Sequence, residues 1–171
     1  MAQIDIANLL ISAAGKQLAH AHEAYKKKNI SYEIEECIQS IILFQAGLEA
    51  IINDEIANHP LLSPVKAEEH DLNMHYKSLS FKNKWTKSYE ALQIRELEYL
   101  NVYLDFYSRY RIPITHPKRR YVSLSTYRFK KIYKGIENGW YAVQLLYAVL
   151  GTGLTSWEDF CNQYNLVLLD N

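Results

Sequence analysis

No proline occurs before Pro60, and through that whole stretch apolar residues recur at helical spacing. Proline within a helix removes a backbone donor and crowds the preceding turn, so its absence leaves long, unbroken helices open to this part of the chain. Ile6, Leu9, Leu10, Ala13, Ala14, Leu18, Ala21 and Tyr25 follow the i, i+3, i+4, i+7 pattern of an amphipathic helix. Lys26, Lys27 and Lys28 fall in its last turn, where cations suit the helix dipole, and Asn29 is the expected stop. Ser31 reads as the N-cap of a second long helix, with Glu33, Glu35 and Glu36 in its first turns. Its apolar stripe is Ile34, Cys37, Ile41, Phe44, Leu48, Ile51 and Ile52, and it is expected to reach about Asn58.

Pro60 and Pro64 then open a polar, weakly periodic segment over 60–77, read as a loop. SLSFKNKW reads as a turn into a short third helix capped by Ser80. A fourth helix is expected over about 88–110, with Ile94, Leu97, Leu100, Leu104 and Tyr107 inward. Pro113 and Pro117 forbid its regular continuation, so the helix is expected to end near Arg111 and Pro113 to turn the chain. A fifth helix from about Ser125 to Leu150 carries Phe129, Ile132, Ile136, Trp140, Val143, Leu146 and Leu150. Gly135 and Gly139 lie in its middle, where they permit close packing, and Gly151 and Gly153 end it. Thr155 or Ser156 caps a short terminal helix through Cys161, followed by an apolar tail, Leu166 to Leu169, that is expected to dock. No strand alternation is sustained. The expectation is an all-α fold, an antiparallel up-and-down bundle of four to five helices, two of them long. It forms one domain over 1–171, with its core over 5–150 and a short terminal helix and tail over 154–171.

Apolar residues make up 49% and charged residues 22%, a balance that argues against extended disorder. The N-terminal MAQIDIANLLISAAGK lacks the basic start of a signal peptide and is interrupted by Asp5. No apolar run approaches the roughly 20 residues that span a bilayer. Cys37 sits in a helical apolar pattern and Cys161 beside Phe160, so both are expected to be buried free thiols, in keeping with a reducing compartment. The chain therefore reads as cytoplasmic, with no membrane partner.

Motifs for metal, phosphate-loop and serine-hydrolase chemistry are missing. His20 and His22 are two apart on a helix and diverge. His59, His70 and His75 share a segment with Glu68, Glu69 and Asp71, but without a ligand spacing, and are expected to be solvated. There is no CxxC pair and no GxSxG; GTG at 151–153 has neither a preceding strand nor a further glycine. No metal and no cofactor are expected.

Charge is the informative signal. Lys plus Arg and Asp plus Glu are 19 each, a formal net charge of zero. From Phe106 to Ile136, however, nine residues are basic (Arg109, Arg111, Lys118, Arg119, Arg120, Arg128, Lys130, Lys131 and Lys134) and none is acidic. The remaining 10 basic and 19 acidic residues form a body of net charge −9. Cations gathered around one proline-marked stretch favour an anion-binding site. Tyr107, Tyr110, Tyr121, Tyr127 and Tyr133 interleave with them. Such rings stack on unpaired bases or, more commonly, pack on bundle edges with the hydroxyl in water. Arg111 and His116 are separated by four residues, Arg109 and His116 by six. An imidazole moves protons near neutral pH, and a guanidinium binds phosphate bidentately and stabilises charge that builds on it. That pairing suits phosphodiester chemistry without metal. Spacing alone is more commonly met by arginines that cap a helix end and a histidine bonded in a tight turn.

Three stretches, in order, resemble the HEPN family (higher eukaryotes and prokaryotes nucleotide-binding domain). FQAGLEAIINDEI, 44–56, resembles its second-helix signature; SLSFKNKWTK, 78–87, a segment with a Lys-Trp pair; and RYRIPITHP, 109–117, its Arg-x(4–6)-His motif. The resemblance covers about residues 5 to 150. It implies a helical bundle that homodimerises, the motifs of two protomers meeting to form a metal-independent endoribonuclease of toxin or defence type. His116 matches the motif histidine; Arg111 is the first match for the arginine and Arg109 the second. Lys118, Arg119, Arg120 and Tyr110 would hold RNA or a nucleotide. A nucleotidyltransferase-type antitoxin would be the matching partner. Active members commonly place a polar residue directly after the arginine; here Ile112 follows Arg111 and Tyr110 follows Arg109. The alternative the resemblance implies is a non-catalytic dimerisation, RNA-binding or nucleotide-binding module.

Overall fold

Asp5 opens the first helix: its side chain accepts the backbone N–H of Asn8 at 2.9 Å, and α1 runs Ile6–Lys26. The computed structural model describes residues 4–115, 123 and 125–166. A three-residue connection leads into α2, Ile30–Asn58. Lys28 takes a left-handed φ of 56° there, and the Asn29 N–H returns to the Ala24 carbonyl. The chain thus reverses early, and Asn29, not Ser31, caps α2 by accepting from the Tyr32 N–H at 3.4 Å. The two helices pack antiparallel along their length. Ile11 covers Gly47 near one end, and His20 Nδ1 lies 3.6 Å from Glu36 near the other. Cys37, Ile41, Phe44, Leu48, Ile51 and Ile52 are buried as the apolar stripe requires; Ile6 and Leu9 are exposed.

The segment expected to be a loop is helical. A 3₁₀ turn, Pro60–Leu62, leads into α3, Ser63–Met74. Both prolines sit in first turns, where a missing N–H costs nothing, so they start helices here and do not interrupt them. Val65 is the buried residue of α3, which explains its weak periodicity. Glu68 and Glu69 tie it instead to Lys87 (2.9 Å) and Lys84 (2.7 Å) of α4, Phe81–Ala91. Ser80 caps α4 as expected, accepting from the Asn83 N–H at 3.2 Å. Beyond Ala91 the chain closes on a left-handed Gln93, φ 56°, with the Ile94 N–H on the Tyr89 carbonyl. That stop divides the single helix expected over 88–110, and the next, α5, spans Glu98–Phe106.

α7, Phe129–Leu150, begins after the expected Ser125 and ends as expected at Gly151, φ 75°. It runs antiparallel to α5: Tyr99 meets Tyr141 at 5.0 Å between ring centroids, the Tyr103 ring seats on Gly139, and the Phe106 ring seats on Gly135. It runs parallel to α2, with Phe129 beside Glu33 and Gly139 beside Phe44. α8, Trp157–Gln163, is capped by Ser156 and packs Trp157 and Phe160 against Trp140. Leu166 is buried; the rest of the tail lies outside the described residues. Among the described residues the fold is all-α, without strands, and no helix is long and apolar enough to cross a membrane. Cys37 and Cys161 are buried and free, and burial pushes both thiols up from their ordinary range.

Candidate anion-binding site on a widened helical turn

The chain does not turn at Pro113. α5 passes into a π-helical turn, Tyr107–Arg111, and then into α6, Ile112–Thr115. Pro113 offers no N–H, and its ring would crowd the carbonyl four residues back in a regular helix. The wider turn relieves that: the Ile112 N–H reaches five residues back to the Tyr107 carbonyl. Hydroxyls brace the ends, Ser108 Oγ donating to the Leu104 carbonyl at 2.9 Å and Thr115 Oγ1 to the Arg111 carbonyl at 3.2 Å. Helix therefore continues past Arg111, where it was expected to end, and through Pro113 to Thr115. His116, Lys118, Arg119 and Arg120 themselves lie outside the described residues.

The widened turn separates the two candidate arginines. Arg109 points outward, its side chain 70% exposed, and donates from Nε to Asp105 at 2.9 Å. Arg111 is half-buried, and its Nε is fully enclosed without a hydrogen-bond partner. Its charge is felt at Tyr103, whose hydroxyl burial pushes well up and Arg111 pulls partly back. Tyr103 donates to Gln45 Oε1 at 2.6 Å, and Gln45 Nε2 is likewise buried and unpaired. Arg111 thus rises from a buried polar seam between α2 and the turn. Tyr110 is half-buried between Phe106 (4.9 Å) and Tyr127 (5.9 Å), and its carbonyl accepts the Tyr127 hydroxyl at 3.2 Å.

The rest of the cationic segment is partly neutralised by acids just outside it. Arg128 donates to Glu33 at 2.9 Å, and Lys134 pairs with Glu137 at 2.9 Å. Lys131 reaches the Ser125 carbonyl, and Lys130 is exposed. Of the interleaved tyrosines, Tyr127 and Tyr133 are buried in the core instead of lying at its edge; Tyr133 accepts from Trp157 Nε1 at 3.1 Å. Neither offers a face to a base.

Glu33 stands in the first turn of α2 as expected, with a role that the sequence does not show. It is fully buried and reaches across to cap α7, accepting the Phe129 N–H at 2.8 Å as well as Arg128. Its i, i+3 companion Glu36 is buried too. No signal short of the tertiary contact marks this role, since acids are common in first turns on dipole grounds alone.

The other two stretches behind the family resemblance meet one another. Residues 44–56 lie in α2, and Lys84 of α4 donates to Asn53 at 2.8 Å, while Trp85 is buried. Near them, His59 Nδ1 accepts from the Leu61 N–H, and Glu68 and Glu69 are engaged by lysines. Among the described residues no three His, Cys, Asp or Glu side chains gather as a metal would require. Comparison of the chain with protein-family models, curated proteins and solved structures returned no match.

Proposed function

We propose that this chain is a HEPN-like helical module that binds RNA through its cationic segment, with Arg111 as the arginine that grips a phosphate. One observation carries the reading. Among the described residues Arg111 has no carboxylate partner, whereas Arg109, Arg128 and Lys134 each have one. A guanidinium left without an acid beside a widened turn is suited to an anion from outside.

Arg111 and His116 keep the Arg-x(4)-His spacing. In the catalytic form of this reading two protomers bring their pairs together. His116 takes the proton of an RNA 2′-hydroxyl as that oxygen attacks the neighbouring phosphorus, the bond to the 5′-oxygen breaks, and a proton returns to that leaving oxygen. Arg111 orients the phosphate and stabilises its added charge. No metal or cofactor enters, and a nucleotidyltransferase-type antitoxin is the partner class that would silence such a protein. The binding-only form is favoured by Ile112, an apolar and partly exposed residue where active members carry a polar one.

The test is a mixed RNA pool with the full-length protein in EDTA. Binding is followed by fluorescence anisotropy at rising salt and cleavage on a gel. Saturable binding that fades with salt, weakened by Arg111→Ala far more than by Arg109→Ala, supports the reading; equal loss in both, or no binding, overturns it. Cleavage abolished by His116→Ala selects the catalytic form, and binding without cleavage selects the other.

A further inference from the structure

The end of the molecule opposite the cationic segment carries a cleft of ≈600 Å³. The first turn of α1, the second half of α2, the last turn of α7 and the chain beyond it form its walls. α7 thus spans from Arg128 and Glu33 at one end to Tyr147 and Asp54 at the other.

Three features set this cleft apart. Large apolar side chains stand uncovered at its rim: Ile4, just ahead of α1, is 76% exposed, and Ile6, which heads the apolar stripe of α1, is 62% exposed. Asp5 and Asp54 lie in the lining, and among the described residues no lysine, arginine or histidine does. Tyr147 lines the same cleft, and burial, then Glu55, Asp5 and Asp54, push its hydroxyl up to about 12. The C-terminal end of α7 adds its negative dipole end. Asp5 spends acceptor capacity on capping α1 and Asp54 on Asn58, and each carboxylate keeps acceptor sites to spare.

We infer that this cleft is a docking site for a lysine- or arginine-bearing peptide segment of a protein partner, its cation set between Asp5 and Asp54 and its neighbouring apolar side chains against Ile4 and Ile6. The charge complement fixes the cation, and the ring of Tyr147 favours it further through its π face. Apolar surface left bare beside the carboxylates calls for a partner with apolar side chains of its own. The volume accommodates several side chains, more than one alkylammonium group fills.

The test uses the full-length protein and a fluorescein-labelled octapeptide alternating leucine with lysine, beside the same peptide with glutamate for lysine. Saturable anisotropy is expected for the lysine peptide only. Asp54→Asn and Ile6→Ser, both at exposed positions that leave the fold intact, are expected to weaken it roughly tenfold each. Asp71→Asn, an exposed acid removed from the cleft, is expected to leave it unchanged. Equal binding by all variants, or binding of the glutamate peptide, overturns the inference. Full displacement by millimolar spermidine with no dependence on Ile6 assigns the cleft to a small organic cation and overturns the peptide.

Discussion

Glu33 of α2 caps α7 from the side: its buried carboxylate accepts the backbone N–H of Phe129 at 2.8 Å. The same oxygen accepts Arg128 Nε at 2.9 Å, so one side chain serves both the first free amide of α7 and the cation before it. The Glu33 side chain is wholly buried, while Arg128 is about a third exposed. Removing the acid would leave a buried N–H and a half-buried cation without partners. Glu33→Ala is expected to destabilise the fold by about 2–4 kcal/mol, read as the shift in urea midpoint at constant slope. Glu33→Gln, which keeps an acceptor for the amide, is expected to lose less than half of that. Equal losses in the two variants would show that the amide bond contributes little.

Gly135 and Gly139 face α5 one turn apart. A Cβ on Gly139 would stand 2.6 Å from a Phe44 ring carbon and 2.7 Å from Tyr103, and one on Gly135 would run into the Phe106 ring. These rings are buried and cannot swing aside without breaking the core. Gly139→Ala and Gly135→Ala are each expected to cost about 1–3 kcal/mol, although alanine is the better helix former by about 1 kcal/mol. Thermal unfolding measures this directly, and a raised Tm in either variant would contradict the close approach.

Gln93 ends α4 with φ 56°, and the Ile94 N–H closes back on the Tyr89 carbonyl. A side chain pays a steric penalty in this left-handed region that glycine avoids. Gln93→Gly is expected to stabilise the protein by about 0.5–1 kcal/mol. Gln93→Ala, equally strained, is expected to leave the midpoint near that of the parent.

His22 is buried in a stack on Phe129, ring centroids 4.8 Å apart. Burial, then Lys26, lower its pKa from the ordinary 6.5, and Glu23 opposes them. The unfolded chain then binds the proton more readily than the folded one, so the contribution of a neutral His22 is full above 6.5 and declines as pH falls below it. The drop in Tm between about pH 7.5 and about pH 5.5 is expected to shrink in His22→Phe, which keeps the stack and removes the proton site. An unchanged drop would place the acid sensitivity elsewhere.

What the sequence made legible follows from how local each signal is. Most of each helical stripe, Ser80 and Ser156 as caps and Gly151 as a terminator depend on a few neighbouring residues and are found in place; Ile6, Leu9 and Leu97, expected inward, are exposed. Misreadings arose where proline or a polar run was given its commonest meaning. Pro60 and Pro64 start helices, and Pro113 sits in a helix that widens ahead of it. α3 escaped notice because salt bridges to α4, not an apolar stripe, hold most of its inner side. At the candidate site, spacing treated Arg109 and Arg111 as near equivalents. Only the π-helical turn and Asp105, one residue outside the cationic segment, distinguish them.

That distinction yields a last expectation about Asp105. Its pairing with Arg109 is exposed on both sides and contributes little to stability, within about 1 kcal/mol. It does hold one positive charge back from the anion surface on which Arg111 lies. Asp105→Asn frees Arg109 and raises the charge of the site by one. RNA affinity at low salt is expected to rise roughly two- to fivefold, with a steeper loss of affinity as salt increases, because one more phosphate contact releases one more counterion. Asp71→Asn changes net charge equally from α3 and is expected to leave the salt slope as it was. If both variants raise affinity alike, the gain is bulk charge, and Arg109 stands outside the path of the RNA. If only Asp105→Asn steepens the slope, the phosphate track runs across the outer face of the π-helical turn, with Arg111 at its inner edge.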